Sequence, residues 1–112
     1  MKDDVVYVGH MLDMAQKATS FVEGVERAAF DADEQLRLAL RHVIQMIGEA
    51  ARRVSPEYRA AHPEIPWKDI VGMRSKIVHD YFEVDENAVW ETATQELPGL
   101  VSQLKNLIPD QD

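Results

Sequence analysis

The chain has 112 residues, no cysteine and a formal net charge of −8. This length lies within the range of one domain and leaves no room for a second catalytic unit beside a helical core. The lack of cysteine excludes a disulfide framework and thiolate chemistry, and the strong negative balance opposes nucleic acid binding unless cations gather in one place.

Hydrophobic residues make up 46% of the chain and charged residues 29%, a balance that supports a packed core rather than disorder. No apolar run approaches the ~20 residues of a membrane-spanning helix. The start, MKDDVVYVGHML, is acidic where a signal peptide is basic. A cytoplasmic location is the expectation.

Helical periodicity dominates, and no segment alternates as a strand does. Over residues 3–27, Tyr7, Met11, Met14, Ala18, Phe21 and Val25 recur at steps of four and three, forming an apolar stripe. A second helix is predicted to start at Asp31, with Asp31 as cap and Glu34 completing a capping-box variant. It runs to Val54, placing Leu36, Leu40, Val43, Ile47, Ala50 and Val54 on one face. Ser55-Pro56 reads as a cap followed by proline in the first turn, opening a short helix to Ala61 that His62-Pro63 ends. Pro66 opens a further helix extending to Asp80. After a turn at 82–84, Asp85 caps a last helix over 86–108, where Ala93, Leu97, Leu100, Leu104 and Leu107 form the stripe and Pro98 introduces a kink. The prediction is an all-α, antiparallel bundle of four main helices plus a short one, forming a single domain over residues 1–112. The apolar stripes build its core, and surplus apolar surface would make a homodimer. Trp67 and Trp90 read as core or dimer anchors.

The segment RSKIVHDYF concentrates the candidate chemistry. On a continuous helix Arg74 falls within an apolar stripe, seven residues from both Trp67 and Tyr81, so these three side chains nearly align. A guanidinium there must be paired or line a wet cleft. His79, five residues on, would stand about 140° around and about 7.5 Å along that helix. Arg74 and His79 would then flank a phosphate-sized group, or meet across a groove, rather than touch. Ser75 precedes His79 by four residues and could orient the imidazole. Arg37, Arg41 and Arg52 lie within about 60° of one another on the second helix, with Gly48 in the same sector. With Arg53, Arg74 and His79 they could form a basic cleft. The bland alternative is a solvated helix face with local pairs such as Arg53–Glu49. The four histidines show no metal-ligand spacing, and neither H-E-x-x-H, a glycine-rich phosphate loop nor G-x-S-x-G occurs. No metal or cofactor is expected.

RSKIVHDYF follows the R-x-x-x-x-H-x-Y pattern, and IGEAARRVSPEYRAAHPEIPW (47–67), IVGMRSKIVHDYFEVD (70–85) and VWETATQELPGLVSQL (89–104) accompany it in order. These segments resemble the HepT-like branch of the HEPN-domain proteins over at least residues 43–105. Ser75 departs from the Asn or Asp common after the motif arginine.

The resemblance implies a metal-independent endoribonuclease toxin that acts on RNA as a homodimer. His79 would be the acid–base group, Arg74 the phosphate clamp, and Ser75 and Asp80 supporting residues; the helical patterning adds Arg37, Arg41, Arg52 and Arg53 as the expected RNA-binding cations. It also implies a partner, an MntA-like nucleotidyltransferase antitoxin, that silences the toxin by adenylylating Tyr81. The competing reading is a non-catalytic HEPN module that docks a nucleotidyltransferase or presents its substrate. The charge of −8 favours that module, and the presence of both Arg74 and His79 favours the enzyme.

Overall fold

Leucine, isoleucine and alanine at helical spacing must bury one face of each segment, and the chain does so around its third helix. A computed structural model describes residues 2–79 and 83–108. Its helices are α1 (Lys2–Val22), α2 (Arg27–Ala32), α3 (Glu34–Arg52), α4 (Pro56–Ala61), α5 (Trp67–Val71), α6 (Met73–Ile77), α7 (Glu86–Glu91) and α8 (Leu97–Leu107). A π-helical turn, Thr92–Glu96, joins the last two. The all-α expectation holds, with shorter pieces than the sequence suggested. Among the described residues the β-type pairing is one isolated antiparallel bridge, Val78 with Val84.

Helix α3 is central. It packs against α1 on one side and α5, α6 and α7 on another, while α8 closes on α1. The buried cluster runs from Val8 to Leu104 and includes Met11, Phe30, Leu40, Ile44, Ile47, Ile70, Ile77 and Leu97. The predicted stripes of α3 and α8 are the ones buried. Helix α1 is different: Val8, Met11, Leu12, Ala15, Ala18 and Val22 enter the core, whereas Tyr7 and Met14 lie at its edge and Phe21 is exposed. Its apolar arc is wider than one stripe.

Local chemistry explains several boundaries and corrects others. Gly24, at φ 73°, takes the left-handed conformation that ends α1 at little steric cost. The apolar stripe expected over residues 3–27 is therefore cut by a turn that leads into α2. The cap of α3 is Asp33, whose side chain accepts from the Leu36 N–H at 3.0 Å. Asp31 lies inside α2 and pairs with Arg27 at 2.8 Å. Both aspartates sit in FDADE, and α2, buried through Phe30, decides between them. Ser55 caps α4 as expected, accepting from the Tyr58 N–H at 3.1 Å. Pro98 cannot donate and its ring crowds the preceding turn. The π-helical turn immediately before it absorbs this misfit, with Thr94 Oγ1 donating to the Trp90 carbonyl at 2.8 Å.

The predicted helix from Pro66 to Asp80 is also corrected. Gly72 separates α5 from α6, and Val78 is already extended at φ −116°, ψ 108°. The backbone then pairs across the fold: His79 N–H donates to the Glu83 carbonyl at 2.9 Å and Asp85 N–H to the Ile77 carbonyl at 2.7 Å. The β-branched run at Ile77-Val78 suits extended backbone, and the pairing replaces the helical bonds that end there.

Two contacts tie distant segments together. Asp4, 2% exposed, accepts from the Ser55 N–H at 2.7 Å and the Ser55 hydroxyl at 2.8 Å. The Ser55 N–H holds its carboxyl below the usual carboxylate range, while burial pushes the other way. This tie stabilises the fold above the ordinary carboxylate pKa, and the stabilisation is lost as pH falls through the lowered folded value. The Trp67 indole N–H donates to the His62 carbonyl at 2.9 Å, and its ring is buried. Phe30 and Trp90 pack ring against ring at a tilt of 47°, with centroids 5.0 Å apart. Both tryptophans therefore serve the core.

At Gly48 the backbones of α3 and α5 approach closely. A Cβ there would lie 3.1 Å from the Ile70 carbonyl oxygen and 3.6 Å from that of Val71. Gly99 in α8 is exposed, and a Cβ there meets nothing within 4 Å. Alanine should stabilise position 99 by about 0.5–1 kcal/mol through helix propensity. At position 48 the same gain is outweighed by overpacking against backbone, giving a net loss of about 1 kcal/mol. Urea titration of Gly48→Ala and Gly99→Ala checks this opposite pair of signs.

Candidate active site

Gly48 meets Ile70 and Val71, while Arg37, three turns earlier on α3, pairs with Glu86 at 3.4 Å. The segment from α5 to α7 therefore runs antiparallel along α3. Arg41 lies between those two points and on the same face of α3, alongside the stretch that carries Arg74 and His79.

Arg74 occupies α6 and is exposed rather than set in an apolar stripe. The helix ends at Ile77, so the helical angle between Arg74 and His79 does not apply. The alignment of Trp67 with Arg74 is likewise broken by Gly72. His79 lies beyond the helix, on extended backbone held by the Glu83 carbonyl. Its side chain is 56% exposed and its Nε2 faces Asp85 Oδ2 at 3.7 Å. Ser75 is exposed and makes no hydrogen bond to His79. Asp80 and Tyr81 lie outside the described residues, between the paired Val78 and Val84.

Asp85 was legible in the sequence only as a helix cap, and it is one: its Oδ1 accepts from the Ala88 N–H at 3.0 Å. Its second oxygen is the one turned to His79. The Ala88 N–H is the main reason its carboxyl sits below the usual range; burial pushes the other way, and His79 adds to the lowering. No periodicity in the sequence could reveal this neighbour, because it depends on the antiparallel pairing of 77–79 with 83–85.

The four arginines assigned to RNA have different surroundings. Arg37 donates to the carbonyls of Phe30, at 3.1 Å, and Asp31 in addition to pairing with Glu86. It clamps the corner between α2 and α3 to α7. Arg41 has a buried Nε without a hydrogen-bond partner. Arg52 is exposed and approaches Glu49 at 3.8 Å, so this pair replaces the Arg53–Glu49 pairing suggested by the sequence. Arg53 faces a groove of about 620 Å³ between α1 and α3, lined also by Tyr7, His10, His42 and Met46. Among the described residues, no three His, Asp or Glu side chains cluster as metal donors would. No helix of those residues is long and apolar enough to cross a membrane.

A family model described as "Ribonuclease HepT-like" matches residues 11–107. The chain belongs to the HepT-like ribonuclease family. A "Putative RNase" of Caldanaerobacter subterraneus subsp. tengcongensis is 35% identical over 108 residues, covering 96% of each chain. A "Putative RNase" of Methanocaldococcus jannaschii is 30% identical over 109 residues, 97% of this chain and 90% of its own. The "Probable ribonuclease HepT" of Thermococcus cleftensis is 29% identical over 101 residues, 88% of this chain and 92% of its own. No solved structure gives a significant match. The HepT-like resemblance carried by RSKIVHDYF and its flanking segments is thus borne out, and with it the assignment to an endoribonuclease family.

The arginine placements separate a structural cation from a solvent-facing one in this HepT-like chain. Arg37→Ala strips donors from two carbonyls and should cost about 1–3 kcal/mol of stability. Arg53→Ala should stay within about 0.5 kcal/mol of the parent. Denaturant midpoints of the two variants, measured at equal slope, test the distinction.

Proposed function

We propose that this chain is the toxin of a toxin–antitoxin system, a metal-independent endoribonuclease that works in the cytoplasm as a homodimer. In this reading the 112 residues act as one HEPN-like domain. The observation that carries the proposal is the R-x-x-x-x-H-x-Y motif in a HepT-like ribonuclease chain, with Arg74 and His79 both exposed.

RNA supplies the nucleophile. His79 removes the proton of a 2′-hydroxyl, whose oxygen attacks the adjacent phosphorus. Arg74 stabilises the charge gathering on the phosphorane, and the bond to the 5′-oxygen breaks as that oxygen takes up a proton. An imidazole suits both proton transfers near neutral pH. One motif histidine per chain leaves the second role open, and a homodimer fills it with the same residue from the other protomer. Exposed apolar side chains at Val5, Val6, Phe21, Leu38 and Met46 give α1 and α3 surface for such an association. Ser75 and Asp80 support the site, and Arg41, Arg52 and Arg53 guide the RNA backbone. Arg37 contributes mainly by holding α3 to α7.

Tyr81 is the control point. An MntA-like nucleotidyltransferase adenylylates it, and the added phosphates bring negative charge to the place where RNA phosphate must sit.

Cleavage of RNA in EDTA should survive in the parent and fall at least about a hundredfold in His79→Ala and Arg74→Ala. Equal behaviour of all three proteins would overturn the catalytic roles and favour a non-catalytic module, and loss in EDTA alone would point to a metal enzyme. Intact mass after incubation with the partner and ATP should rise by AMP units in the parent and stay constant in Tyr81→Phe. An adduct that survives in Tyr81→Phe removes the switch.

A further inference from the structure

We infer that Asp85 is a positioning residue for His79, fixing the imidazole with its proton on Nε2 so that Nδ1 is the atom that accepts the 2′-hydroxyl proton. This rests on the reading of His79 as the acid–base group.

Three backbone ties surround the pair. Val78 bridges Val84, His79 N–H donates to Glu83, and Asp85 N–H donates to Ile77. The two side chains thus project from paired extended segments whose spacing is set by hydrogen bonds of 2.9 and 2.7 Å rather than by surface loops drifting together. The carboxylate divides its work. Oδ1 caps α7 through the Ala88 N–H, which stops the group rotating freely, and Oδ2 is left facing His79 Nε2 at 3.7 Å. That separation is a few tenths of an ångström beyond a hydrogen bond, and such contacts in a free enzyme tighten when substrate binds.

A carboxylate facing one ring nitrogen favours the tautomer with the proton there and leaves the other nitrogen with its lone pair. It also favours the imidazolium that forms when the proton arrives. The Ala88 N–H, acting before His79 itself, holds the Asp85 carboxyl below the usual carboxylate range. The proton passes from the 2′-oxygen to Nδ1, the 2′-oxygen bonds to phosphorus, and the 5′-oxygen leaves, protonated by a second imidazolium. Asp85 gains and loses no proton in the cycle.

The cap and the positioning role separate by mutation, because asparagine caps helices as well as aspartate and carries no charge. Asp85→Asn should melt close to the parent, whereas Asp85→Ala should melt lower. Ring ¹⁵N shifts of the neutral imidazole should report a nearly pure Nε2–H tautomer for His79 in the parent. In Asp85→Asn they should move toward the mixture of a free imidazole. Its RNA cleavage should lose about 10–100-fold in kcat, with KM not raised, since removing an anion cannot weaken the hold on phosphate. Asp85→Glu should recover part of the loss. An asparagine variant with parental tautomer and parental kcat would falsify the inference, as would a kcat loss that merely tracks unfolding. If His79→Ala still cleaves RNA, the catalytic reading fails by itself, and the ring shifts still decide whether Asp85 orients the imidazole.

Discussion

Helix α5 can lie on α3 only as closely as position 48 allows. The Ile70 carbonyl would stand 3.1 Å from a Cβ there, so the missing side chain sets the spacing between the two backbones. That contact, with the Arg37–Glu86 pair further along α3, orients the whole segment from Trp67 to Glu86. The site follows from it, because Arg74, His79 and Asp85 all belong to this segment.

The segment also explains how a polar site is presented without weakening the core. Met73 and Ile77 point inward, while Arg74, Ser75 and Lys76 on the same short helix are exposed. Where α6 stops, the freed backbone groups are satisfied across the Val78–Val84 bridge instead of by another helical turn. His79 therefore leaves the helix and stands in solvent with its backbone held. A helix continued through Asp80 would have placed it on the opposite side from Arg74.

The net charge of −8 looked incompatible with RNA, and the distribution of arginines moderates it only in part. Arg37 is occupied with carbonyls and a carboxylate, and Arg53 faces the α1–α3 groove rather than α5. Arg41 is the arginine of α3 that lies alongside the motif segment. The basic sector drawn on a helical wheel treated positions 37–53 as one exposed face. Packing of α5, α6 and α7 against part of that face divided it.

Much was readable from residue types alone. Ser55-Pro56 and Asp85 announced helix starts because their side chains cap through bonds to residues two or three positions away, a purely local chemistry. The stripes of α3 and α8 were readable because 3.6-residue periodicity leaves a single face for the core. The R-x-x-x-x-H-x-Y motif with its flanks identified the HepT-like family. The choice of Asp33 over Asp31 as cap, the end of α6 at Ile77 and the meeting of His79 with Asp85 were settled by tertiary packing. Each depends on where the backbone turns: Phe30 pulling α2 into the core, Val84 returning to Val78, Asp85 arriving beside the imidazole. RSKIVHDYF thus carried the chemistry in its residue types, whereas the orientation of that chemistry came from hydrogen bonds to residues outside the motif.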